Sequence, residues 1–136
     1  MLPFPARLLA FPRKTSRPQM TLVLLRTFVG VSALFTPRLA ARIFGVDPDS
    51  SSAWVTRLFG SRELALAGVL LVATPEHLPT VAALGAAIDT ADVVSSLVEV
   101  RRGTVSTYTL ISGGAGAAVF AALGFDIARR ARTLNP

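Results

Sequence analysis

Long apolar runs dominate the sequence, and four of them lie at about residues 20–36, 54–74, 80–100 and 105–127. Each run approaches the length of about 20 residues that a helix needs to cross a bilayer. The last is the clearest, because the 18 residues from Tyr108 to Phe125 carry no charge. The pattern predicts an all-α integral membrane protein, a four-helix bundle with four spans.

A short helix is predicted between the first two spans. Leu39 and Ile43 alternate at helical spacing with Arg38 and Arg42, and Gly45 follows as a helix stop. Such a segment favours an amphipathic helix lying in the membrane interface.

Polar connectors separate the other elements. The turn at 47–52 offers a helix N-cap before Trp54, within Ser50–Ser52. Pro75–Pro79 is so short that the spans on either side of it should be antiparallel neighbours.

Both ends of the chain are basic. Residues 1–19 form a Pro-rich arm, which we expect to be flexible, and residues 129–136 form a tail. Two alternatives for the N-terminal region are that the first apolar run belongs to a cleaved signal peptide and that translation begins at Met20. Four spans place both termini on one side, and their basic residues favour the cytoplasmic side of the inner (cytoplasmic) membrane.

Composition supports a membrane protein and excludes several classes. Hydrophobic residues make up 51% of the chain and charged residues 16%, against about 25% charged in soluble domains. With no cysteine and a single histidine, His77, we expect no metal site and no cofactor. The net charge is +6, and the basic residues flank the apolar runs. This arrangement favours contact with anionic lipid headgroups and argues against binding of nucleic acid.

The third run carries an unusual stripe of small and polar residues. They recur at alternating spacings of four and three, at Gly85, Asp89, Asp92, Ser96, Glu99 and Gly103. A polar stripe on an apolar helix should face the bundle interior. It indicates either an ion path or ligand site, or a structural network of ion pairs that fixes helix register.

Depth in the membrane predicts partners for these carboxylates. Arg62 lies eight residues into the second run and Asp92 eight residues before the end of the third, so the two should meet. Arg26 is close enough in depth to reach Asp89. Glu63 should pair locally or with Arg57. The predicted intramembrane charge network comprises Arg26, Arg62, Glu63, Asp89, Asp92 and Glu99.

The fourth run is rich in small residues that permit close helix approach. The candidate packing positions are Gly113, Gly114, Gly116, Ala117 and Ala121. Packing within one chain and a dimer face are both consistent with them.

Two similar tetrads occur, Arg42-Ile43-Phe44-Gly45 and Arg57-Leu58-Phe59-Gly60, and the second continues to Gly68 as Ser-Arg-Glu-Leu-Ala-Leu-Ala-Gly. With Pro37 closing the first run and Asp89-x-x-Asp92 in the third, residues 20–128 resemble uncharacterised small four-span membrane proteins common in actinobacteria. Those proteins are loosely similar to DoxX-like bundles. The resemblance implies a fold and no activity.

Three functions are consistent with these features. The first is a non-catalytic accessory or stabilising subunit of a larger envelope complex, such as a lipid-transport assembly, with a protein partner in the membrane. The second is a small transporter or ion-conducting homodimer that uses Asp89 and Asp92. The third is a membrane enzyme acting on lipid or quinone, although no reaction centre is recognisable.

Overall fold

A computed structural model describes residues 15–49 and 53–134, and this part of the chain forms helices and no strands. The predictions for residues 1–14 of the arm, for a cap within Ser50–Ser52 and for residues 135–136 lie outside the described residues. The all-α prediction is confirmed.

The helices follow the apolar runs. They are α1 (Arg17–Phe35), α2 (Pro37–Ile43), α3 (Ala53–Val72) and α4 (Leu78–Arg101). The last helix, α5, begins with one turn at Thr107–Thr109, continues through a π-helical turn at Leu110–Gly114 and ends with Ala115–Leu134.

Two helix ends lie three or more residues from the predicted ends of the spans. The helix α1 begins three residues early, because the Ser16 hydroxyl accepts the Gln19 amide at 3.4 Å and Pro18 suits a first helical turn. At the other end of the chain α5 continues into the predicted tail. There Asp126 accepts hydrogen bonds from Arg129 at 3.1 Å and Arg130 at 2.7 Å, one turn further along.

The short helix α2 ends as predicted. Gly45 has a φ of 69°, in the left-handed region that glycine adopts without strain. A side chain there would also collide with the Tyr108 ring. The Tyr108 hydroxyl donates to the Ile43 carbonyl at 3.3 Å, and the Thr109 hydroxyl donates to the Gly45 carbonyl at 2.7 Å. These contacts fasten the end of α2 to the start of α5.

Two close helix pairs make up the bundle: α1 packs along α3, and α4 packs along α5. A Cβ added to Gly60 would lie only 2.8 Å from the Gly30 carbonyl oxygen. One added to Gly124 would lie 2.9 Å from the Ala86 Cβ. The absent side chains therefore let each pair approach closely.

The hydrophobic core occupies one half of the bundle, toward the ends where α1 begins and α5 finishes. It is built from Leu22, Val23, Ala67, Leu70, Ala82, Ile127 and Ala128. Within it the buried Gln19 side chain donates from Nε2 to the Leu70 carbonyl at 2.9 Å. This half is closed by side-chain packing.

Several charged side chains are buried and many large apolar side chains are exposed, which is unusual for a water-soluble protein. The largest fully buried side chains include three charged ones, Arg26, Glu63 and Asp89. Outside, Phe28 is 72% exposed and Phe35 78% exposed. Apolar side chains on the outer surface suit a lipid environment.

Three helices, α1, α4 and α5, are long and apolar enough to cross a membrane. The predicted second span, α3, is not among them although it has 20 residues. Each 18-residue stretch of α3 contains Arg57, Arg62 and Glu63. Composition therefore supports a helical membrane protein without establishing the fourth span.

Candidate functional site: a buried charge cluster below an apolar cavity

Arg26 joins three helices through its guanidinium group. Nη1 donates to Glu63 Oε2 at 2.6 Å, which links α1 to α3. Toward α4, Nη2 donates to Asp89 Oδ2 at 2.5 Å and Nη1 to Asp89 Oδ1 at 3.3 Å. The predicted pairing of Arg26 with Asp89 is confirmed, and all three side chains are almost inaccessible to solvent.

Arg62 makes the second junction, between α3 and α4. Its Nη1 and Nη2 donate to the two oxygens of Asp92 at 3.1 and 2.6 Å, so the predicted bidentate pair is confirmed. Nη2 also donates to Glu63 Oε1 at 2.9 Å. The Nε atom of Arg62 is buried and has no hydrogen-bond acceptor among the described residues.

Glu63 bridges the two arginines, with one carboxylate oxygen on each. Its pairing with the neighbouring Arg62 was one of the two predicted options. The other predicted option, Arg57, instead donates from Nε to the Leu34 carbonyl at 3.3 Å. The contact between Glu63 and Arg26 was not predicted, although equal depth indicates it. Arg26 is nine residues from each end of α1, and Glu63 is ten and nine residues from the ends of α3.

We define the charge cluster as Arg26, Arg62, Glu63, Asp89 and Asp92. Glu99, predicted as a sixth member, lies further along α4. Its carboxylate contacts Arg102 at 3.5 Å and accepts the Thr104 hydroxyl at 2.5 Å. Gly85, one turn before Asp89, lies beside the Arg26 guanidinium, and a Cβ there would be in ordinary van der Waals contact with Nη2 at 3.5 Å.

Aromatic rings complete the surroundings of both arginines. The Arg26 guanidinium carbon lies 5.0 Å from the centroid of the Phe120 ring, and that of Arg62 lies 4.8 Å from the Phe59 ring. Phe44 contacts Phe59 edge to face, with 6.0 Å between centroids. These cation–π contacts add to the ion pairs, most of all at Arg26, whose side chain is almost inaccessible to solvent.

A cavity of about 380 Å³ lies on the other side of the charge cluster from the hydrophobic core. Arg62, Asp89 and Asp92 are the charged residues in its wall. The remaining wall is mainly apolar, with a few hydroxyl groups, and comprises Val29, Ala41, Phe44, Val46, Val55, Thr56, Phe59, Ser95, Ser96, Thr109, Gly113, Gly116, Ala117 and Phe120. Its size and apolar lining are typical of a small-molecule site.

The predicted packing residues of α5 divide between two roles. Gly113, Gly116 and Ala117 line the cavity, while Gly114 and Ala121 are buried. A Cβ at Gly114 would lie 3.6 Å from the Ser96 Cβ, an ordinary van der Waals contact, so this position faces α4. The tightest approaches, at Gly30 with Gly60 and at Gly124, were not predicted.

The π-helical turn at Leu110–Gly114 borders the cavity. It places Gly113 in the cavity wall, with Thr109 immediately before the turn. Such turns insert one residue into a helix and occur often at functional sites. No group of three or more His, Cys, Asp or Glu side chains among the described residues is arranged to hold a metal ion.

Comparisons with known proteins give no further identification. No family model, curated protein or solved structure matches this chain.

Proposed function

We propose that the chain is a four-span integral membrane protein that binds a small, largely apolar molecule in its cavity. The observation that carries this proposal is the cavity itself, a mainly apolar space of about 380 Å³ that is bordered on one side by the charge cluster. The function would then be binding or transport, with Asp89 and Asp92 in the site, and not catalysis.

The fourth span in this proposal is α3. Two of its three charges, Arg62 and Glu63, are neutralised inside the bundle by ion pairs. The third, Arg57, is only four residues from the start of the helix, or about 6 Å, where a long side chain reaches the headgroups. An apolar outer surface therefore remains for lipid.

The depth of the charge cluster suits a bilayer. Asp89 is 11 residues from one end of α4 and 12 from the other. At 1.5 Å per residue it lies about 16–18 Å from each end, near the middle of a core about 30 Å thick. The cavity would then extend from this level toward the face that carries α2.

We further propose that both termini face the cytoplasm across an inner membrane, as the basic termini predicted. The cavity would then open toward the opposite face, near Val46 and Val55. Arg129, Arg130 and Arg132 at the end of α5 would meet anionic headgroups on the cytoplasmic side.

An accessory subunit of a membrane complex is the second candidate. Small residues on the outer surface favour it, because Ser61, Ala65 and Gly68 are exposed along one side of α3. A partner helix could approach closely there, and a Cβ on Gly68 would meet nothing within 4 Å. Isolation of a stoichiometric complex from native membranes would favour this role.

Photolabelling tests the proposed cavity. The full chain in native membranes, first shown to remain in the pellet after a carbonate wash, is irradiated with a neutral aryl-diazirine probe and its adducts are mapped by mass spectrometry. We expect adducts on cavity-wall residues such as Phe59 and Phe120, in addition to those on lipid-facing residues.

A matched pair of variants distinguishes the cavity from the outer surface. Ala117→Phe fills the cavity, whereas Ala118→Phe adds the same ring to the exposed side of α5. Loss of the cavity adducts in Ala117→Phe alone supports the proposal. Adducts confined to the outer surface of the wild type would overturn it.

A further inference from the structure

Charge in the cavity wall does not balance. Among the described residues that line the cavity, Asp89 and Asp92 carry negative charges and Arg62 carries a positive one. In the whole charge cluster, three carboxylates oppose two guanidinium groups. One negative charge is left over in either case when all groups are ionised.

Neighbouring basic residues are directed elsewhere. Arg57 of α3 donates a hydrogen bond to a backbone carbonyl, and Arg102, which directly follows α4, pairs with Glu99. Arg38 and Arg42 of α2 are exposed on the outside. The segment at Ser50–Ser52, between α2 and α3, carries no charged residue.

Asp92 is the accessible carboxylate of the charge cluster. Its side chain is 35% exposed, compared with 2% for Asp89 and 1% for Glu63. Each of its oxygens accepts one hydrogen bond from Arg62, and a carboxylate oxygen has capacity for a second. A positive group in the cavity can therefore reach Asp92 without displacing Arg62.

Phenyl rings surround the same space. Phe44 directly follows α2, Phe59 lies in α3 and Phe120 lies in α5, and all three line the cavity. Aromatic faces attract cations, and quaternary ammonium groups in particular are held by such rings. An apolar wall with one excess negative charge is complementary to a molecule that has an apolar body and a positive head.

We propose that the occupant of the cavity is a lipophilic organic cation, a quaternary or protonated amine whose head lies beside Asp92 and the phenyl rings. This inference rests on the proposed function, because it requires the cavity to be a binding site. It specifies in addition that the ligand is positively charged, a property that the volume of the cavity does not determine.

Two probes of equal shape test the charge. One is an aryl-diazirine with a trimethylammonium group, and the other has an uncharged tert-butyl group in its place. Both are used at equal membrane-bound concentration on the full chain in membranes. We expect about tenfold more labelling of cavity-wall residues by the ammonium probe.

A matched pair of carboxamide variants locates the charge. Asp92→Asn keeps an oxygen acceptor for Arg62 and removes the excess negative charge, whereas Glu99→Gln removes a carboxylate of the same helix outside the cavity. We expect the preference for the ammonium probe to disappear in Asp92→Asn and to persist in Glu99→Gln. A circular dichroism melt verifies that each variant is folded.

The outcomes separate the two proposals. Equal labelling of the wild-type cavity by both probes would overturn the organic cation as the ligand and leave the proposed function standing. Equal labelling is the result expected if a bound proton neutralises the excess negative charge of the charge cluster. Absence of cavity labelling by either probe would overturn the proposed function as well. The comparison on the wild type decides the question even where Asp92→Asn fails to fold.

Discussion

Arg26 and Asp89 are 63 positions apart in the chain, yet their side chains meet at 2.5 Å in the middle of the bundle. Each lies near the centre of its helix, and each is almost completely buried. An isolated charge at this depth of a membrane costs at least about 2.5–3.5 kcal/mol. The pair therefore fixes the register of α1 against α4, because a shift of either helix would separate two buried charges.

Loss of Arg26 should be the most damaging single change in the charge cluster. Arg26→Leu leaves both Glu63 and Asp89 without their buried partner, and breaking such a pair costs about 3–5 kcal/mol. The stability of Arg26→Lys should lie between those of the wild type and Arg26→Leu, because the lysine ammonium group keeps the charge but lacks the planar fork of the guanidinium group. The melting temperature of purified protein in detergent gives the order. Arg102→Leu, at an exposed pair, is the control, and a loss no larger than in this control would contradict the prediction.

The Arg62–Asp92 pair should show coupling in a double-mutant cycle. Arg62→Leu and Asp92→Leu should each lower the melting temperature, and the double variant should recover part of the loss because no single charge is stranded. The recovery of the melting temperature should be incomplete, because Glu63 also loses its hydrogen bond from Arg62.

The charge-swapped protein provides a second measure of the same contact. Arg62→Asp combined with Asp92→Arg should be tolerated better than either half. Strictly additive effects in both the leucine and the swapped series would mean that the two side chains do not interact.

Close packing of α1 against α3 should depend on Gly60. A methyl group there would press on the Gly30 carbonyl and on the Ala33 side chain at 2.8 and 2.9 Å, so Gly60→Ala should destabilise the protein by about 1–3 kcal/mol. Gly68→Ala on the same helix meets nothing within 4 Å and should be neutral or gain up to about 1 kcal/mol from helix propensity. Equal effects in chemical unfolding would argue against the close approach.

Sequence reasoning predicted the fold class and the two arginine–aspartate pairs. Opposite charges in apolar helices must be matched, and short connectors fix the relative depth of neighbouring helices. The contact between Glu63 and Arg26 depends in addition on how α1 and α3 are rotated, which periodicity leaves undetermined.

Glycine packing and the cavity also depend on how the helices are rotated and packed, which the sequence pattern leaves undetermined. Gly60 and Gly68 both lie within the second predicted span at 54–74, and the rotation of the helix turns the first toward Gly30. The cavity arises from space left between several helices, so no local pattern predicts it. The resemblance to small four-span proteins remains a prediction.

The most direct measurement is the sidedness of the connectors, because a four-span bundle requires α3 to cross the membrane. The chain has no cysteine, so single cysteines at Asp49, His77, Arg102 and Thr133 can each be labelled with an impermeant maleimide, in intact cells and in inverted vesicles. Four spans with both termini in the cytoplasm predict labelling of Asp49→Cys and Arg102→Cys from the outside, and of His77→Cys and Thr133→Cys from the cytoplasmic side. Labelling of Asp49→Cys and His77→Cys from the same side would contradict the four-span bundle.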